Sequence, residues 1–155
     1  MSEQKAVLPT DEAPIEKRVY LATPYSSTDP DPSRRRTVEA ARFQATVRYL
    51  GVLHRAFPRV AFYSPIVHWH PVAYITELRT DAAYWQALNE YEISRSDEVW
   101  VARFPGWEFS TGIKAELEFA DKYGIPSHLE DTYTSGQAWP MDYRGEYGLP
   151  KWERA

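Results

Sequence analysis

Glu116 stands in a row of apolar residues. Within Phe104–Ala120, FPGWEFSTGIKAELEFA, a loop leads through Ser110-Thr111-Gly112 into a segment with helical spacing. Ile113, Glu116, Leu117 and Ala120 fall at i, i+3, i+4 and i+7 and so share one helix face. Three of the four belong against a core, and a carboxylate among them breaks the local pattern as functional sites do. It lies about one turn from a helix N-terminus, where the backbone dipole favours negative charge. A carboxylate held there can serve as a nucleophile or a base. The ordinary alternative is a structural glutamate paired with an Arg or a Tyr hydroxyl. Ser110 and Thr111 can cap the helix and also offer hydroxyls and amides to an anion. Gly112 lets the backbone come close to a ligand.

Two further clusters invite chemistry. His68 and His70 flank Trp69, and on an extended segment both imidazoles point to one side. A third ligand at suitable spacing is not evident, so a pocket wall is preferred to a metal site. Arg34-Arg35-Arg36 opens a long helix, where cations oppose the dipole unless an anionic ligand lies at that edge. The loop TPYSSTDPDP after the first strand holds no Gly, so neither the P-loop nor the dinucleotide fingerprint is present.

These residues need a scaffold, and the chain supplies an alternating one. Arg18–Ala22 reads as a buried strand ended by Thr23-Pro24. Ser33 is the expected N-cap of a helix running to about Phe57, before Pro58. Val60–Ser64 reads as a second strand and Pro65–Leu78 as an irregular segment. Asp81 opens a helix to about Ser94, with Tyr84, Leu88 and Tyr91 on one side. Glu98–Ala102 is a third strand, and the Glu116 helix ends near Tyr123-Gly124. Pro126–Leu129 is a fourth strand. Strand–helix alternation predicts an α/β fold, a Rossmann-like three-layer sandwich with a mainly parallel sheet of four to five strands. Ligands bind such sheets outside the carboxyl ends of the strands. The loops Thr23–Ser33, Pro65–Thr80 and Arg103–Thr111 leave those ends and carry most of the unusual residues.

Composition sets the outer bounds. A chain of 155 residues suits one main domain over 18–131. A polar lead-in covers 1–17, and an aromatic tail over 132–155 packs on the domain or on a neighbouring subunit. The net charge of −4 argues against nucleic acid as a partner. With no Cys there is neither a disulfide nor a thiolate nucleophile, which fits a reducing compartment. No apolar run has membrane-spanning length, and the N-terminus lacks the layout of a signal peptide. The reading is a soluble cytoplasmic protein without a membrane partner.

VYLATPYS at Val19–Ser26, YSPIVHWHP at Tyr63–Pro71 and SRSDEVWVARFPGWEFSTGIKAELEFADKYGIP at Ser94–Pro126 together resemble the nucleoside 2-deoxyribosyltransferase-like superfamily, and within it the DUF1937 branch. The resemblance covers roughly Arg18–Asp131. It implies a Rossmann-like domain that cleaves the N-glycosidic bond of a (deoxy)nucleoside or its 5′-monophosphate, with neither metal nor organic cofactor. It gives Glu116 the part of the nucleophile that attacks the anomeric carbon. Tyr20 matches a strand-one Tyr that orients this Glu in relatives. Thr23, Pro24, Tyr25, His68, Trp69, His70 and Trp107 fall among the residues expected to form the pocket. Ser26 and Ser110 fall near where monophosphate-using relatives hold phosphate. One departure stands out. Relatives carry an Asp in the helix before strand three that protonates or positions the leaving base, and the aligned position is Asn89, with Glu90 beside it. Asn is not a general acid, so Glu90 takes the role or the chemistry differs. Relatives often complete the pocket with a neighbour's residues, which implies a homo-oligomer. A nucleotide-sensing module of the same fold, with its chemistry reduced or lost, is the alternative expectation.

Overall fold

The computed structural model describes residues 14–79 and 81–132. The expected lead-in and aromatic tail lie largely outside them.

Four parallel strands form one sheet in the order β2-β1-β3-β4: β1 (Lys17–Ala22), β2 (Val60–Tyr63), β3 (Glu98–Ala102) and β4 (Ser127–Glu130). β1 pairs with β2 through Tyr20↔Tyr63 and with β3 through Leu21↔Trp100. β3 pairs with β4 through Val101↔Leu129. The chain leaves β1 toward one edge, then returns past it to β3. The strand order therefore reverses between β1 and β3, and the crevice above that point is where such sheets take ligands.

Alternation along the strands divides the core in two. Val19, Leu21, Trp100 and Ala102 pack with Ala45, Tyr49 and Leu53 of α1 (Pro32–Ala56). Tyr20, Ala22, Val99 and Val101 point the other way. They meet Ile93 of α3 (Ala82–Ser94) and Ile113 and Ala120 of α4 (Thr111–Lys122). This is the expected three-layer α/β sandwich, here with a fully parallel sheet.

Local chemistry sets the element ends. α1 is capped by Asp31, not Ser33: the Asp31 carboxylate accepts the Ser33 N–H at 2.9 Å, and Pro32 takes the first helical position. The segment Pro65–Thr76 is not irregular but a helix, α2. Ser64 ends the second strand early and becomes a cap, its Oγ accepting the Val67 N–H at 3.2 Å. Pro65 starts the helix, and Pro71 sits inside it at the cost of one backbone bond. α4 is capped by Ser110, whose Oγ accepts the Ile113 N–H at 3.2 Å. It ends at Gly124, which takes the left-handed φ of +69° that a Cβ disfavours. Residues 14–16 are tied to the start of β2: the Arg59 guanidinium donates to the Pro14 carbonyl and pairs with Glu16 at 3.1 Å. No helix among the described residues is long and apolar enough to cross a membrane.

Candidate active site

A cavity of about 280 Å³ opens at the carboxyl edge of the sheet. Thr23, Tyr25, Ser26 and Thr28 reach it from the loop after β1, and Trp69 and His70 from α2. α3 contributes Trp85, Gln86, Asn89, Glu90 and Ile93. Ser110, Thr111, Gly112 and Glu116 come from the start of α4. The loops expected to converge do so.

Glu116 lies where its helix face turns from core to cavity. Ile113 and Ala120 on the same face are buried against the sheet, as expected. Part of the Glu116 side chain reaches the cavity, while its Oε2 is sealed from solvent and has no hydrogen-bond partner. Burial pushes its pKa from the ordinary carboxylate range up to about 8, and the nearby Tyr20 hydroxyl pulls it down in part. Tyr20 is fully buried on β1 and does not itself line the cavity. Its phenol is close enough to feel the carboxylate, but no hydrogen bond of proper geometry joins them, and its Oη is also unpartnered. Burial first and Glu116 second push the Tyr20 pKa well up. Two buried polar groups thus face each other with bonding capacity unused, which is costly unless something completes them.

The histidine pair divides. Because α2 is a helix, positions two apart point roughly 200° away from each other, so the same-side expectation fails. His70 is buried at the cavity wall, and its Nδ1 is hydrogen-bonded to the Tyr25 hydroxyl. His68 is exposed and lies outside the lining. Burial lowers the His70 pKa to about 4, so the ring is neutral near pH 7. Among the described residues, no three His, Cys, Asp or Glu side chains converge as metal ligands would.

Two other expected wall residues sit elsewhere. Pro24 is buried in the core, and Trp107 packs against the Ile113 side of the sheet. Both were assigned from loops where sequence fixes proximity but not direction. Conversely, Trp85, Gln86 and Ile93 line the cavity and were not anticipated. On α3 the stripe Tyr84–Leu88–Tyr91 faces solvent, and the opposite face, Trp85–Asn89–Ile93, faces inward. The i, i+4, i+8 spacing of Trp85, Asn89 and Ile93 was the signal for it. Phe109, 85% exposed, stands at the mouth.

Asn89 and Glu90 both reach the cavity, one turn before the buried Ile93. The Gln86 amide donates to Glu90 Oε1 at 3.0 Å. Asp97 lies at the opposite edge, where its Oδ2 accepts the Arg18 N–H at 2.7 Å.

A family model described as a domain of unknown function (DUF1937) matches residues 17–130. The chain belongs to the DUF1937 family. No curated protein matches it. The DUF1937 match runs from the first residue of β1 to the last of β4, so every cavity-lining residue falls within it.

Proposed function

We propose that the protein cleaves the N-glycosidic bond of a (deoxy)nucleoside or nucleoside 5′-monophosphate, with Glu116 as nucleophile. The observation that carries this reading is the Glu116 carboxylate, its Oε2 sealed from solvent without a hydrogen-bond partner, on the wall of a cavity at the sheet's topological switch. The ionised Oε attacks the anomeric carbon, the C–N bond breaks, and its electron pair leaves with the base. Water or a second base then attacks the glycosyl-enzyme and restores Glu116, in the two-step manner of retaining glycosidases. Positive charge developing on the sugar favours the ionised carboxylate, which is the minority form at pH 7. Tyr20 orients and helps to ionise that carboxylate. Trp69 and Trp85, with ring centroids 5.3 Å apart, give the base a flat apolar wall.

The test is a mass-spectrometric screen of nucleosides and 5′-monophosphates, with and without an acceptor base, run beside Glu116→Gln. Base release by the natural chain, lost in the variant, is the expected result. Full turnover by the variant sinks the assignment. Product distribution separates hydrolysis from transfer.

Asn89 favours a second reading, a nucleotide-sensing module with weak or lost chemistry, because a carboxamide stands where relatives place an acid. Ligand-induced thermal stabilisation without turnover supports it. A gain of base release in Asn89→Asp instead supports an enzyme whose leaving-group step is slow.

A further inference from the structure

We propose that the cavity takes the uncharged nucleoside and excludes its 5′-monophosphate, an inference that rests on the nucleoside-cleaving reading above. The described part of the wall is poor in positive charge. Among the described residues its carboxyl side chains are Glu90 and Glu116, and neither Lys nor Arg lines it.

None of the α1 arginines lines the cavity. Arg42 Nη1 donates to the carbonyl oxygens of Tyr25 and Ser26 at 3.0 and 2.7 Å, fixing the loop from behind. Glu39 lies against that same loop, its Oε2 accepting the Ser27 N–H at 3.4 Å. Arg35 and Arg42 act on the Glu39 carboxylate and partly offset the effect of its burial. Arg34 pairs with Asp31 at 3.8 Å. The positive charge behind Ser26 and Thr28 is therefore partly offset by Asp31 and Glu39.

A phosphate monoester carries roughly 1.5 to 2 negative charges near pH 7. The N-terminus of α4 offers only about half a positive charge. Neutral hydroxyls on Ser26, Thr28, Ser110 and Thr111 suit the hydroxyls of an unphosphorylated sugar. The apolar part of the lining, with Trp69, Trp85, Ile66 and Ile93, suits a flat neutral heterocycle.

Matched pairs test this: 2′-deoxyadenosine, 2′-deoxyguanosine, thymidine and 2′-deoxycytidine, each against its 5′-monophosphate. Base release is followed with the full chain, and binding with Glu116→Gln by calorimetry. The nucleoside of the preferred pair is expected to lead by at least about tenfold in kcat/KM or affinity. Added salt should narrow the gap by screening the repulsion. Glu39→Gln, which leaves Arg35 and Arg42 without their carboxylate, should also shift the preference toward the monophosphate. A monophosphate that matches or beats its nucleoside overturns this inference and leaves the glycosidase reading standing. Nucleoside binding by Glu116→Gln, with no base release by the natural chain, upholds the charge preference and removes the catalytic reading. Failure of every pair member to bind overturns both.

Discussion

The Tyr25 hydroxyl is hydrogen-bonded to Nδ1 of His70, which fastens the loop after β1 to the middle of α2. Phe43 stacks on the imidazole with ring centroids 4.4 Å apart, and Tyr74 lies 4.2 Å away. Burial holds His70 neutral, with a pKa near 4 against an ordinary 6.5. A lowered imidazole pKa contributes stability that is fully present above the unfolded value of 6.5 and is lost as pH falls through about 4. The His70 ring resonances are therefore expected to stay flat from pH 8 down to about pH 5 in an NMR titration. Tyr25→Phe should cost about 1 kcal/mol by thermal denaturation, one hydrogen bond's worth. A His70 midpoint near 6.5 contradicts this account of the wall.

Glu116 has the opposite sign. Its folded pKa, about 8, is raised above the ordinary 4.5, so its contribution to stability is fully present below about 4.5 and declines until about 8. Gln has the same shape and does not ionise. Glu116→Gln should therefore be more stable than the natural chain at pH 8.5, by roughly 2–5 kcal/mol, with the gap closing toward pH 5. Denaturation curves across that range measure it. A gap independent of pH means that the carboxylate does not titrate in the fold as described.

Tyr20 gives a kinetic counterpart. On the proposed reaction, kcat/KM rises with pH as Glu116 ionises, with a midpoint near 8. The Tyr20 hydroxyl holds that pKa down, so Tyr20→Phe should move the midpoint to higher pH. Base release near pH 7 then falls by about tenfold, and much of the loss is recovered in alkaline buffer. A loss uniform across the pH profile marks Tyr20 as a packing residue alone.

Much of this site was legible before the fold was known, and the exceptions have physical causes. Glu116 announced itself because a charge in an apolar 3.6-residue period is rare, and the helix formed with that face inward. The convergence of three loops followed from strand–helix alternation. α2 was missed because Pro65 and Pro71 read as breakers, although Pro65 directly after Ser64 is also a helix start. That error carried over to the histidines, since pairing His68 with His70 presumed a two-residue period. On α3 both faces carry large apolar or aromatic residues, so periodicity left the inward side undecided. The cavity settled it in favour of Trp85 and Asn89.

Gly112 separates folding from function most cleanly. It occupies the second position of α4, and a Cβ built there lies 3.8 Å from Ser110 Oγ and 3.9 Å from Glu116 Oε1. Those are ordinary contacts, so the fold accommodates Ala without strain. Ala is also a better helix residue than Gly, by up to about 1 kcal/mol in a helix interior and less at an end. Gly112→Ala should therefore equal or exceed the natural chain in thermal stability. The same methyl projects into the space before the Glu116 carboxylate, where a sugar's anomeric carbon has to come close. Base release should fall by at least about tenfold, with KM rising or kcat falling according to whether the methyl blocks binding or only the attack distance. Stability and turnover measured on one preparation decide it. An unchanged rate means that substrate approaches Glu116 from another side, and a collapse in stability means that the added Cβ meets something closer than these two oxygens.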